Sequence, residues 1–398
     1  MSLTDSSARY GGITRAIHWL TALLILTAWP VGYYAHTLST ATQPDMDRVF
    51  ALFSLHKTLG VAVVFVSILR ILWALVQKRP GLINGDHKAE AIAAEVVHYL
   101  LYALLILVPV TGWIHHAAAP GFAPILWPWG QGFPFVTENP ALSDLFTILH
   151  WTFAWTLAAV LVLHILGAVK HHAIDRDATL RRMWRGTPAE GSASQPSHLA
   201  PALGALVVLA VVVAGGLAIR PAPSDGPAAP QLAQAHSDWQ VQDGGRLFIA
   251  VTQFGKTVEG SFDDWTAAIS WNPDAPAGVA GHVTVTISVP TLTLGSVTKQ
   301  ALGDDFLAAE ANPTATFDAD LIKAEDGSQR AEGTLTLRGQ SVPLSFPFDL
   351  TIDDTGLATA KAGFTLDRRD FGVGDTMPDE GTVAFAVTGG FELTAKRN

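Results

Sequence analysis

The sequence predicts a multidomain membrane protein: an all-α bundle of four membrane-spanning helices with a fifth, anchoring helix, followed by an all-β antiparallel barrel. Three observations predict it. Long apolar runs fill the chain before Ile219, apolar and polar residues alternate from Trp239 onward, and only 15% of the 398 residues are charged, against about 25% in ordinary soluble domains.

A helix needs about 20 mostly apolar residues to cross roughly 30 Å of hydrocarbon. Five segments meet that length: 17–35, 52–76, 96–114, 148–169 and 199–219. The first follows Arg9 and Arg15 as a signal peptide would, but its apolar stretch is too long, no clean small-residue cleavage site follows, and further spans come after it. It is therefore read as a retained helix. The fifth span carries no ionisable residue and is read as a lone anchor.

Orientation follows from Lys and Arg in the short loops. Arg9 and Arg15 precede the first span, Lys78, Arg79 and Lys88 follow the second, and Arg176, Arg181, Arg182 and Arg185 follow the fourth. The opposite side has Arg48 alone in its first loop and no Lys or Arg over 115–146. This puts the N-terminus, the second loop and the fourth loop on the cytoplasmic side. A Pro/Ala-rich linker over 221–235 then carries the last domain outside the cytoplasm. The expected domains are 9–185, a linker with the fifth helix over 186–220, the linker 221–235, and the barrel over 236–398.

Composition closes off several chemistries. Cys is absent, which excludes disulfides, iron–sulfur clusters, thiolate metal sites and covalently attached haem. From Ser224 onward 24 acidic residues face 11 basic ones, an acidic balance that does not suit nucleic acid.

Eleven of the 14 His lie in the first 172 residues. Ionisable groups within spans are expensive and face a bundle interior, a cavity or a cofactor. His150 and His164, 14 residues apart in the fourth span, point the same way, about four turns and about 21 Å apart. One sits near each leaflet. His18 begins an outward helix and shares the cytoplasmic level with His164; His56 begins an inward helix and shares the outer level with His150. The pairs His18 with His164 and His56 with His150 are thus candidate axial ligands of two stacked haem b irons, an arrangement that favours electron transfer over O₂ binding. His98 is an alternative to His18 or a propionate or quinone contact, and His36 is a rival at the outer level. His115, His116, His171 and His172 are expected just beyond helix ends, as interfacial residues. Arg15, Lys57, Arg70 and Lys170 are candidates for haem propionates or for snorkelling to headgroups. Trp127, Trp129, Phe133 and Phe135 in the third loop suit an interfacial aromatic belt or a lid over the outer site.

Several of these residues together resemble the bacterial cytochrome b561 family over about 9–185. They are Arg15-x-x-His18-Trp19, His56-Lys57-x-x-Gly60, His98-x-x-x-Tyr102 with Pro109 and Gly112-Trp113, and His150 with His164 and His171-His172. The resemblance implies a four-helix cytochrome with two haem b groups that exchanges electrons with a membrane quinone, ubiquinone or another. It also implies a possible electron source in superoxide at the outer face.

In the last domain Val283, Val285, Ile287 and Val289 alternate with Thr284, Thr286 and Ser288. The same period recurs through Leu344, Phe346, Phe348, Leu350 and Ile352, and through Val383, Phe385 and Val387. Period two between Gly, Asp and Pro turns means antiparallel strands. The segment 299–311 breaks the alternation and reads as a short helix. Gly260-Ser-Phe262, Asp305-Phe306, Pro313 to Phe317, Gly333-Thr-Leu335 and Arg369-Asp-Phe371-Gly372 resemble the YceI-like family. That resemblance implies a lipocalin-like barrel whose apolar lumen holds a polyisoprenoid or an isoprenoid quinone. Gln253 stands where many members carry His. About eight strands enclose an interior that side chains either fill or leave open for one ligand.

The functional expectation is a membrane oxidoreductase or electron carrier. It joins haem iron to quinone across the bilayer, with an isoprenoid ligand in the barrel. The rivals are an electron-transfer subunit for a separate dehydrogenase as redox partner, and an isoprenoid carrier whose haem core is an anchor. A proton-coupled transporter is disfavoured, because no Asp or Glu lies mid-span.

Overall fold

A computed structural model describes residues 2–78, 80–119, 123–192, 197–219, 229–232, 237–295 and 297–398. Arg79 and most of the expected linker, 221–228 and 233–235, lie outside these residues. The chain forms a helical unit over most of 1–221 and a β unit over 222–398.

Among the described residues five helices are long and apolar enough to cross a membrane: α1 (Gly12–Thr37), α2 (Gln43–Val76), α3 (Lys88–Ala118), α4 (Pro140–Ala173) and α6 (Leu199–Ala218). The first four outrun the apolar windows that predict them, because polar ends can be capped and solvated. At the start of α4 the Asn139 side chain accepts the Leu142 N–H, with Pro140 at the first helical position. His115, His116, His171 and His172 consequently lie inside α3 and α4, in their last turns, rather than beyond the helix ends.

A short α5 (Thr179–Arg185) follows α4 and closes on Gly186 in the left-handed region, with φ at 69°. Seven residues are too few for a periodic signal. The bundle core gathers Ile25, Val63, Leu104, Phe153, Leu157 and Val160. The fifth span is not a lone anchor, since Ala205 is buried in that core and Leu209, Val212 and Val213 of α6 pack against it. Leu69, Leu72, Leu163 and Leu206 stay exposed, as a lipid-facing surface requires.

The β unit is one antiparallel sheet of β1 (Trp239–Val241), β2 (Arg246–Gln253), β3 (Lys256–Phe262), β4 (Trp265–Trp271), β5 (Gly278–Ser288), β6 (Leu292–Thr293), β7 (Thr314–Lys323), β8 (Gln329–Leu337), β9 (Gln340–Ile352), β10 (Leu357–Asp367) and β11 (Val383–Arg397). Its order is β4-β5-β7-β8-β9-β10-β11-β2-β3-β6, with β1 paired to β11. The sheet curls into a half-closed barrel. Beside β1, the Asp238 N–H donates to the Ile269 carbonyl of β4 at 2.9 Å, so this strand links β11 to the far end of the sheet.

Phe317, Phe346 and Phe364 stack through the interior, with centroids 5.5 and 4.7 Å apart in turn. Two local readings are corrected. The helix expected over 299–311 is only α7 (Thr298–Leu302); Gly303 ends it, and turns with Ala308 at a φ of 45° carry the chain to β7. A register shift between Val383 and Val387 interrupts the alternation of β11. Phe385 packs under the guanidinium groups of Arg368 and Arg369 instead, at 5.1 and 3.8 Å.

Candidate functional site

Two groups of histidines meet inside the helical unit. At one level His56 of α2 faces His150 of α4, with ring centroids 6.1 Å apart. At the other, His164 of α4 faces His18 of α1 at 6.2 Å and His98 of α3 at 5.2 Å. His36 is not drawn into either group and packs on Trp151.

The His56–His150 site rests on a construction used twice. The Nδ1–H of His56 donates to the Ala28 carbonyl of α1 at 2.8 Å, and the Nδ1–H of His150 donates to the Val108 carbonyl of α3 at 2.8 Å. Because a carbonyl only accepts, both rings carry their proton on Nδ1, which leaves Nε2 as a lone-pair donor. Hydrogen bonds of this kind set the tautomer of metal-binding histidines. Four residues after each carbonyl stands a glycine, Gly32 or Gly112, and the imidazole fills the space a Cβ would take: at Gly112 that atom would lie 2.9 Å from His150, and at Gly32 it would overlap His56. Pro30 and Pro109 sit beside the same carbonyls. Each removes one intrahelical N–H and loosens the helix there.

The His18–His164 level is prepared differently. Arg70 donates from Nη2 to His18 Nδ1 at 3.4 Å and stacks over the Tyr102 ring at 5.1 Å. Nearby, Arg182 of α5 is buried, donates from Nη1 to the Gly81 carbonyl at 2.9 Å and lies over the Tyr10 ring. Its Nε and Nη2 are buried without a hydrogen-bond partner. Arg15 donates to the Trp184 carbonyl of α5 at 3.2 Å. Lys170 is taken by Glu90 and by Asp175, the latter at 2.8 Å. His171 donates from Nδ1 to Asp177 at 2.6 Å. Glu90, His171 and Asp175 converge as metal ligands would, but the Lys170 ammonium already sits on both carboxylates. The cluster reads as the ion-pair tie between α3 and α4.

At the opposite level the third loop folds over the helix ends. Trp113 meets Trp127 and Phe133, each with centroids 5.2 Å apart, and donates from Nε1 to the Gln131 carbonyl. Lys57 is buried beneath this loop and donates to the Ala123 carbonyl at 2.6 Å and to the Gln131 side chain at 3.2 Å.

A haem iron fits between the paired rings. Two iron–imidazole bonds of about 2 Å, extended to the ring centres, separate coaxial imidazoles by roughly 6 Å centroid to centroid. The pairs at 6.1 and 6.2 Å meet that span, and His98–His164 falls short of it.

Residues 9–186 match the prokaryotic cytochrome b561 family profile. "Cytochrome b561 homolog 2" of Escherichia coli is 30% identical over 188 residues, which is 46% of this chain and 95% of that protein. The chain belongs to the cytochrome b561 family. Membership implies b-type haem. A "Probable superoxide oxidase CybB" of Yersinia pestis is 28% identical over 176 residues, 44% of this chain and 95% of that one.

Beyond the cytochrome b561 part, residues 231–389 match the YceI-like domain profile. A solved structure, Burkholderia cenocepacia BcnA, is 25% identical with a TM-score of 0.36, covering 38% of this chain and 96% of that one.

The β unit holds a cavity of about 180 Å³, lined by apolar side chains such as Leu247, Ile249, Val258, Leu294, Phe306 and Phe364. Gln253 and Arg368 are buried in its wall. The guanidinium of Arg368 spends all its donors on backbone carbonyls: Nε on Ala384, Nη1 on Val373 and Gly374, Nη2 on Met377 and Val383. Beside it Arg369 donates to Asp367 from Nε at 2.9 Å and holds that carboxyl down at about 2.

Gly32, Arg182 and Arg368 were not singled out by sequence reasoning. None of the three carries a periodic signal in the sequence.

Proposed function

We propose that this protein is a transmembrane electron carrier holding two haem b groups, one between His18 and His164 and one between His56 and His150, and exchanging electrons with an isoprenoid quinone in the bilayer. The observation that carries the reading is the spacing of the two histidine pairs. Held by these histidines, haem b would supply one-electron chemistry. The protein's own part is to present the imidazoles, those of His56 and His150 with Nε2 lone pairs left by their Nδ1–H bonds to Ala28 and Val108, to keep water out of the apolar bundle, and to supply cations for the propionate carboxylates. Arg70 and Arg182 suit that task at the His18 level, and Lys57 at the His56 level.

On the same reading the chain divides into 9–185, 186–220, 221–235 and 236–398, with the N-terminus in the cytoplasm and the barrel in the periplasm of a bacterial inner membrane; the Lys and Arg distribution supports this orientation. Lys57 then supplies positive charge at the outer face, where superoxide is a candidate electron donor in keeping with the Yersinia pestis relative. The barrel binds an isoprenoid or isoprenoid quinone; its apolar cavity and the YceI-like match support this.

His150→Ala and His164→Ala test the assignment. Each should lower the haem content by about one per chain, read as pyridine haemochrome, because each residue serves a different site. Two haems retained in both variants would overturn it.

A further inference from the structure

The cavity of the β unit is lined by apolar side chains and by three polar ones, Gln253, Gln300 and Arg368. Val383 pairs in register with Gln253 across β11 and β2 and gives its carbonyl to Arg368, so Gln253 and Arg368 belong to the same end of the lumen. Arg368 has no donor left to offer a ligand, since five carbonyls occupy its guanidinium. Gln253 differs. It is 7% exposed, and its Oε1 is buried without a hydrogen-bond partner. A buried amide oxygen left unpaired is destabilising, whereas a ligand group that satisfies it recovers that loss on binding.

The size of the cavity limits what reaches this end. About 180 Å³ is slightly more than the roughly 150 Å³ of an engineered cavity that takes benzene. It admits one ring or one or two isoprene units, and a longer chain must part the lining side chains. The part of a ligand that meets Gln253 is therefore small, and its hydrogen-bonding character decides the fit. A primary amide presents an acceptor and a donor side by side. A hydroxyl answers both, donating to Oε1 and accepting from Nε2. A quinone carbonyl or an ether answers only the donor and leaves Oε1 unpaired.

On the reading that the barrel binds an isoprenoid, we propose that its ligand ends in a hydroxyl seated on the Gln253 amide, so that the barrel takes an isoprenoid alcohol or hydroquinone in preference to a quinone. Discrimination of this kind, set by whether a buried polar group finds its partner, amounts to roughly tenfold or more in affinity.

The test is calorimetric titration of the full-length protein in detergent with three probes of one tail: farnesol, farnesyl methyl ether and farnesane. Farnesol should bind at least about tenfold tighter than the ether, and Gln253→Leu should abolish that preference while still binding the ether. Gln253→His, which keeps a donor and an acceptor, should retain it. A further pair is a farnesyl-tailed hydroquinone, titrated with the haem already reduced, and its quinone, titrated with the haem oxidised. A hydroquinone that outcompetes farnesol identifies the hydroxyl as that of a quinol, and the reverse identifies an alcohol; either supports the proposal. Equal affinity of alcohol and ether in the unmodified protein overturns it while leaving isoprenoid binding intact. Failure of every probe, farnesane included, overturns the isoprenoid reading itself.

Discussion

Gly112 leaves the notch in which the His150 ring sits: a Cβ there would come within 2.9 Å of the imidazole. Ala is ordinarily the better helix former by about 0.5–1 kcal/mol, so Gly112→Ala should strengthen α3 as a helix while displacing the histidine. The expected result is loss of about one haem per chain with helical content unchanged, and Gly32→Ala should act on His56 in the same way. Gly167→Ala, where a Cβ meets nothing within 4 Å, is the control. Full haem content in both notch variants would show that the glycines are incidental.

A second prediction concerns sidedness and rests on the Lys and Arg distribution. A reporter active only in the periplasm, fused after Asn398, should be active; one fused near Gly186 should be silent. The opposite pattern would reverse the proposed orientation.

Deleting the chain after about Pro221 separates the two halves. If the barrel collects a long-tailed hydroquinone for the haem bundle, the truncated protein should keep both haems yet react more slowly with that hydroquinone, and at an unchanged rate with a short-tailed analogue. Equal rates with and without the barrel would rule out this coupling.

Arg368 is the barrel's internal brace. Replacing it with Leu removes the donors from five carbonyls, three of them in buried hydrogen bonds, a loss on the order of 3 kcal/mol or more. Urea unfolding followed by the β-sheet circular dichroism of the full chain should show a markedly lower midpoint, with Arg368→Lys in between. An unchanged midpoint would mean that water replaces the guanidinium without penalty.

On the outer face of the barrel His282 donates to Asp320 at 3.0 Å and lies 3.3 Å from Asp318. The hydrogen bond to Asp320 raises its pKa above the ordinary 6.5. A raised folded-state value means that the stabilisation is complete below 6.5 and fades as pH climbs through the folded pKa. Because the ring is exposed, the effect on stability is small and is best read as a nuclear magnetic resonance titration of His282. Its midpoint should lie above 6.5 and fall in Asp320→Asn.

Much of the architecture is legible without coordinates because each half repeats one period. Runs such as 52–76 have no reading but a span, and the alternation through Leu344 to Ile352 has none but a strand. Which histidines stand level with one another follows from the direction of each helix and the distance of His18, His56, His150 and His164 from its ends. The rest is carried by features with no period. Glycine in a span reads as ordinary close packing, so Gly32 is silent until the His56 ring is seen against it. The α5 helix is too short to announce itself, and its Arg182 reads as one more cytoplasmic charge though it is buried. The shift in β11 that sends Phe385 to the arginines depends on pairing across strands, which no single strand records.

The twice-used notch says something about ancestry. In α1 the order is Ala28, Pro30, Gly32, and in α3 it is Val108, Pro109, Gly112; each offers a carbonyl and a hollow to the histidine of the helix that follows it. One helical hairpin, copied and joined to itself, would build all four helices, with the notch and its histidine repeated in each copy.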